Sequence, residues 1–209
     1  MEKQEIRTFG RRHGKKLSLR KSFLIENVLP MIAPNESEHA DILEIGFGAG
    51  EHLRELAITM PNKIVIGAEP FVNGVAALLS GICNTENHIR DEYKNIRIWP
   101  DDVRLMLRDK KFTFSEIWIL HPDPWPKARH EKRRLLNREF LTLLGEHLGP
   151  NGKIIIGTDH WEYYEWILNQ CADTQFSIQT DIPGIIRTRY QAKNMAGTTE
   201  PKYIVLSLR

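Results

Sequence analysis

Short apolar runs alternate with longer stretches of helical period along most of this chain, and that alternation predicts its architecture. Runs over 41–45, 63–68, 96–99, 115–120 and 152–157 read as strands. Helical stretches near 51–59, 72–82, 102–108, 135–148 and 161–170 alternate with them. Strands separated in this way predict a parallel sheet with helices on both faces. The tail departs from the pattern, because 176–180 and 203–208 read as strands joined by a loop. The expected fold class is therefore α/β, a doubly wound, mostly parallel seven-stranded sheet with a C-terminal antiparallel hairpin.

Ahead of the sheet, 18–29 reads as a helix with Phe23, Leu24 and Val28 inward, Ile25 beside them, and Pro30 as its end. Residues 1–17 form a basic arm without apolar periodicity, interrupted by Gly10 and Gly14. The arm is expected to be extended or flexible, with one domain over 18–209. At 209 residues, 41 % apolar and 27 % charged, the chain has the size and composition of a soluble domain with a substantial core. No internal repeat interrupts it.

A net charge of +2 says little about partners, but its distribution says more. Residues 1–21 hold eight Lys or Arg against two Glu, and 127–138 hold six against one Glu. Such clusters on a near-neutral chain point to a directed polyanion surface. Cys83 and Cys171 are too few and too far apart for a disulfide framework or a zinc site, and read as reduced thiols. The histidines have no metal-ligand spacing, so no metal is expected. No apolar run approaches the ~18 residues of a membrane span. The amino terminus lacks the apolar core of a secretory signal, and Glu2 and Glu5 weigh against a mitochondrial presequence. The expected location is cytoplasmic.

Two motifs carry the candidate chemistry. In Leu43-Glu44-Ile45-Gly46-Phe47-Gly48-Ala49-Gly50, the three glycines allow a sharp strand-to-helix turn that lets a ligand approach the backbone. Dehydrogenases use a similar turn, so the glycines alone do not decide the cofactor. Glu44 does more, because a dinucleotide's pyrophosphate would disfavour a carboxylate there, whereas a sulfonium cofactor with an amino-acid tail tolerates one. Glu69 ends the second strand, where an acid accepts ribose hydroxyls, a device NAD enzymes share. Asp101 and Asp102 follow the third strand, where an acid commonly meets an adenine amino group. These positions point to S-adenosylmethionine, with S-adenosylhomocysteine as product.

The second motif is His121-Pro122-Asp123-Pro124-Trp125-Pro126-Lys127. Its alternate prolines forbid helix, so the side chains between them project from a stiff loop. Preorganising Asp123 lowers the entropic cost of alignment. Trp125 offers a face for base stacking, or alternatively covers the sheet end. Asp159 closes the fifth strand on the same carboxyl edge. Together these residues suit methylation of a base, and the motif logic allows either an exocyclic amine or a ring nitrogen. The latter requires negative charge to stabilise a base turning cationic.

The resemblance is narrower. The chain resembles the bacterial tRNA (guanine-N(7)-)-methyltransferase family over nearly its whole length. It does so through Arg7-Thr8-Phe9-Gly10-Arg11-Arg12, the glycine turn, Gly67-Ala68-Glu69, Asp102, the segment from Pro122 to Arg134, and Thr158-Asp159. This resemblance implies a class I methyltransferase (Rossmann-like) fold and methylation of guanosine N7 at position 46 in the tRNA variable loop. It implies that Glu44, Gly46, Gly48, Gly50, Glu69, Asp102 and Asp123 hold the cofactor, with Asp123 also catalytic. Lys127, Asp159, Thr188 and Gln191 would meet the target nucleotide, and Arg129, His130, Lys132, Arg133 and Arg134 the tRNA. Two positions depart from the family pattern: Gln191 stands where Glu is usual, and His160 follows Asp159. A monomer or homodimer acting without a partner subunit is expected. The competing readings are a methyltransferase of another base, such as adenine at N6, and a non-catalytic tRNA-binding subunit that retains the fold.

Overall fold

All four residues of β1 (Ile42–Ile45) and of β2 (Val65–Ala68) are buried, as strands covered on both faces must be. The computed structural model describes residues 8–35, 39–109, 111–180 and 201–209. The remaining strands are β3 (Ile96–Trp99), β4 (Phe114–Leu120), β5 (Leu148–Thr158), β6 (Phe176–Thr180) and β7 (Lys202–Leu208). The helices are α1 (Leu19–Phe23), α2 (Glu51–Thr59), α3 (Val72–Ile82), α4 (Val103–Asp109), α5 (Arg138–Glu146) and α6 (Trp161–Cys171). Among the described residues, seven strands form one sheet in the order β3-β2-β1-β4-β5-β7-β6. No helix among the described residues is long and apolar enough to cross a membrane.

The chain divides into two compact units, Met1–His39 with Phe47–Phe112, and Ala40–Gly46 with Thr113–Arg209. In the first, β2 and β3 pair in parallel from Val65↔Ile96 to Ala68↔Trp99. Leu53 and Leu56 of α2 and Val75, Leu78 and Leu79 of α3 are buried there, the apolar stripes the periodicity predicts. In the second, β4 pairs in parallel with β1 and with β5. The closing pairs β5–β7 and β7–β6 are antiparallel, matching the antiparallel C-terminal hairpin expected from the sequence.

Three boundaries differ from expectation by three residues or more, each for a local reason. The chain does not stop at Pro30. After α1, whose N-cap Ser18 accepts from Lys21 N at 3.4 Å, a π-turn runs over Leu24–Val28 and a 3-10 turn over Leu29–Ile32. Pro30 sits in the first turn of that last piece, where a missing N–H costs nothing. Against the sequence expectation, Phe23 is 46 % exposed, while Leu24 and Val28 are buried as expected. Helix α5 starts at Arg138 rather than 135, because Asn137 Oδ1 caps it from Phe140 N at 2.9 Å. β5 begins at Leu148, its register to β4 shifting between Phe114 and Glu116. Pro150-Asn151-Gly152, with Asn151 at φ 60°, imitates a turn in the sequence and hides those first residues.

Candidate active site

In the first unit, the chain leaves the glycine turn through Gly48 and Gly50, at φ 57° and 76°. A β-carbon at Gly50 would also lie 2.5 Å from Leu78 Cδ1, so the position is closed to larger residues twice over. Helix α3 comes equally close: a β-carbon at Gly74 would stand 2.5 Å from Gly48 O. Glu69, at the end of β2 and 7 % exposed, accepts Gly48 N at 2.8 Å and Phe71 N at 2.9 Å. One carboxylate therefore ties the turn to the start of α3.

Asp102 is buried, 6 % exposed. Its carboxylate accepts Arg104 N at 3.0 Å, Arg104 Nε at 2.9 Å, Arg104 Nη2 at 2.6 Å and Thr8 Oγ1 at 2.9 Å. Burial pushes the carboxyl up, but these bonds and the Arg104 charge outweigh it and hold the pKa below the ordinary value. An arriving amino donor must share or replace one of four bonds, and Thr8 is the only uncharged side chain among the donors. The basic arm lies here too. Arg12 pairs with Asp101, Val72 N donates to Arg12 O at 3.0 Å, and Gly14 N donates to Asn73 Oδ1 at 2.7 Å. Asn73 Nδ2 in turn donates to Lys15 O at 2.7 Å. Arg104, Thr8 and Asn73 were not anticipated. The Asp-x-Arg spacing at the start of α4 was the one available signal for the first.

In the second unit, Glu44 is buried within β1, 3 % exposed, in register with Trp118 of β4. Beyond β4, His121 turns at φ 49° and donates its amide to Gly157 O at 2.8 Å. Its Nδ1 lies 3.8 Å from Asp159 Oδ1, so the ends of β4 and β5 meet through these side chains. Thr158 Oγ1 accepts His160 N at 3.2 Å, and His160 Nδ1 accepts Tyr163 N at 3.4 Å. The residue that breaks the family pattern after Asp159 is thus the cap of α6. Asp123 is exposed on the proline-rich loop, near enough to Tyr163 for its charge to be felt. Burial, with a smaller contribution from Asp123, pushes the Tyr163 hydroxyl up to about 12.

A family model described as "Putative methyltransferase" matches residues 38–198. The tRNA (guanine-N(7)-)-methyltransferase of Neorickettsia sennetsu is 38 % identical over 185 residues, 87 % of this chain and 82 % of that one. The enzyme of the same name from Sphingopyxis alaskensis is 36 % identical, covering 94 % of this chain and 92 % of its own. The chain belongs to the tRNA (guanine-N(7)-)-methyltransferase family. Among solved structures, an antibiotic-related methyltransferase aligns with a TM-score of 0.59 at 16 % identity, covering 93 % of this chain and 97 % of that one. Precorrin-6y C5,15-methyltransferase from Geobacter metallireducens aligns with a TM-score of 0.55 at 14 % identity, covering 83 % of each chain. Both place the fold with the class I methyltransferases.

Within the family's signature segment, the cations divide. After Pro126 the chain forms a 3-10 turn, Ala128–Arg133, leaving Lys127, Arg129 and Lys132 exposed. Arg133 lies over the Trp125 ring, 5.0 Å from its centroid, and His130 meets that ring edge-on at 5.8 Å. The indole therefore packs against two residues of its own loop. Burial lowers the pKa of His130, and the neighbouring charges of Arg133, Arg129 and Lys127 lower it further. Arg134 corrects an expectation: it is 5 % exposed and points inward, so it presents no charge to a polyanion. Its Nε donates to Pro124 O at 2.9 Å instead. Thr188 and Gln191 lie outside the described residues.

Proposed function

We propose that this protein methylates N7 of guanosine 46 in the variable loop of tRNA, using S-adenosylmethionine and releasing S-adenosylhomocysteine. The observation that carries the reading lies within the second unit. Acidic Asp123 and Asp159 follow the adjoining strands β4 and β5, and the exposed cations Lys127, Arg129 and Lys132 come soon after Asp123. Acids suit a base that becomes cationic, and cations suit the phosphates that bring it.

The residues of the first unit fit the cofactor by their chemistry. The turn offers glycine backbone and carboxylates, with Glu69 and Asp102 in place of the basic groups a phosphate would need. Glu69 would hold the ribose and Asp102 the adenine amine, while Gly48 and Gly50 leave the backbone of the turn open to close approach. When bound, S-adenosylmethionine supplies an electrophilic methyl group on a cationic sulfur. The N7 lone pair of guanine needs no base to remove a proton before it attacks. Asp123 then serves as fixed negative charge and as a positioning acceptor, with Lys127 and Asp159 orienting the nucleotide. Arg129, His130, Lys132 and Arg133 meet the tRNA backbone, which recognises shape more than sequence. We place the reaction in the cytoplasm, with the chain acting without a partner subunit.

Purified protein incubated with labelled cofactor and unmodified tRNA is expected to yield N7-methylguanosine, identified by mass spectrometry of the digest. Label found only on an exocyclic amine, or no transfer at all, would overturn the reading.

A second expectation concerns His130, whose imidazole is held below the ordinary value of about 6.5 by burial first and by the neighbouring cations in addition. Phosphates arriving at Arg129, Lys132 and Arg133 offset those cations and raise the imidazole pKa, so binding takes up a proton. Affinity for tRNA therefore rises as pH falls through the range just above the depressed value, by at most about tenfold per pH unit. Fluorescence titration at constant ionic strength checks this. His130→Asn is expected to flatten the profile, and an unchanged pH slope in that variant would count against the contact.

A further inference from the structure

We infer that Arg134 is a positioning residue for Asp123 and takes no part in holding RNA, an inference that rests on the catalytic reading of Asp123. Arg134 belongs to a run of three cations, Lys132-Arg133-Arg134, yet it alone of the three is buried. A buried guanidinium needs its charge and donors met, and here the loop meets them. Nε donates to Pro124 O at 2.9 Å and Nη2 makes a longer bond to Trp125 O at 3.5 Å. Nη1 stands 3.8 Å from a Glu131 carboxylate oxygen.

The two carbonyls it grips flank Trp125, a strained residue of the loop. Trp125 has φ 43°, a left-handed conformation costly for a bulky side chain. Such a residue persists only where its surroundings over-determine it. The peptide groups on either side of Trp125 point to one guanidinium, and the first of them belongs to the residue next to Asp123.

The clamp is anchored at its other end by helix α6. The guanidinium lies 4.8 Å from the Trp166 ring centroid and 5.5 Å from that of Tyr163. The same two aromatics fix the chain just beyond it. Leu136 N donates to Tyr163 Oη at 3.4 Å, and Trp166 Nε1 donates to Leu136 O at 3.3 Å. A continuous path therefore runs from α6 through Arg134 to the backbone that carries Asp123. Only a planar fork can stack on the rings and reach two carbonyls together, so lysine is no substitute.

The test compares wild type, Arg134→Lys and Arg134→Ala, with rates expressed per protein molecule able to bind cofactor, so that unfolded material does not count. Arg134→Lys is expected to lower kcat at saturating tRNA and cofactor about a hundredfold, the scale of a misplaced catalytic group. The tRNA Kd is expected to stay within about twofold and its salt slope to stay unchanged, since no phosphate contact is lost. Millimolar methylguanidinium should restore part of the kcat of Arg134→Ala. In an Asp123→Ala background, Arg134→Lys should have no further effect on kcat, because the residue acts through that carboxylate.

A weakened tRNA Kd with a shallower salt slope would make Arg134 an RNA contact and overturn the inference. So would a lowered melting temperature with normal kcat, or losses that add in the double variant. Wild type assayed alongside keeps the two levels apart. No N7-methylguanosine from it defeats the proposed function, whereas an active wild type beside an unimpaired Arg134→Lys defeats this inference alone.

Discussion

Replacing Asp123 with alanine is expected to cut kcat by about 10²–10³-fold, the usual loss when one preorganised electrostatic partner of a transition state is removed. As guanine N7 takes the methyl group, positive charge grows on the purine. A carboxylate on a rigid loop stabilises that charge more than it stabilises the neutral base. An interaction that strengthens toward the transition state appears in kcat rather than in KM. The side chain is exposed, so its removal changes folding stability by no more than about 0.5 kcal/mol. Affinity for tRNA is expected to hold, because Lys127, Arg129 and Lys132 are untouched. Single-turnover transfer with saturating cofactor, alongside a tRNA titration, measures both quantities. Asp123→Asn refines the account by keeping shape and one acceptor while losing charge. A rate close to wild type in that variant would assign the role to hydrogen bonding, and a rate close to Asp123→Ala would assign it to charge. If Asp123→Ala kept full turnover, the residue would have no chemical part.

The parallel strands were legible because burial on both faces demands unbroken apolar runs, as Ile42–Ile45 and Val65–Ala68 display. Helices were legible where a stripe repeats, as over Val72–Ile82. What escaped was set by partners distant in sequence. Nothing local distinguishes Arg134 from Arg133 or Lys132: three successive cations read as one polyanion surface. Tyr163 and Trp166, which receive the inward one, lie about thirty residues away on α6. The arm was unreadable for the same reason, since Thr8 and Arg12 find their acids at Asp102 and Asp101, beyond the third strand. At Asp102 the residue type was legible but its immediate use was not. The Arg104 fork occupies it from two positions along the same helix start. Periodicity reports which face is apolar; it does not report where a charge finds its counter-charge.

The second large effect is expected at Glu69, where Glu69→Ala should weaken S-adenosylmethionine binding by about 10²-fold or more. Two backbone amides, Gly48 N at 2.8 Å and Phe71 N at 2.9 Å, donate to this carboxylate. Bonds to a charged group are each worth about 1.5–3 kcal/mol, and removing the acceptor leaves donors in a site that is 7 % exposed. The glycine turn then loses the tie that holds Gly48 in its left-handed conformation, and the cofactor loses the acid proposed for its ribose. Those two losses separate experimentally. Glu69→Gln keeps an oxygen for one amide but turns an NH₂ toward the other donor, so it should damage the turn less than alanine while still lacking the carboxylate. Calorimetric titration gives the cofactor Kd of each variant, and thermal unfolding without cofactor gives the cost to the turn. Binding weakened well beyond what the unfolding loss explains identifies Glu69 as a ligand. Binding that falls only in proportion to lost stability would reduce it to a brace for the turn. An unchanged Kd in Glu69→Ala would remove this end of β2 from the cofactor site altogether.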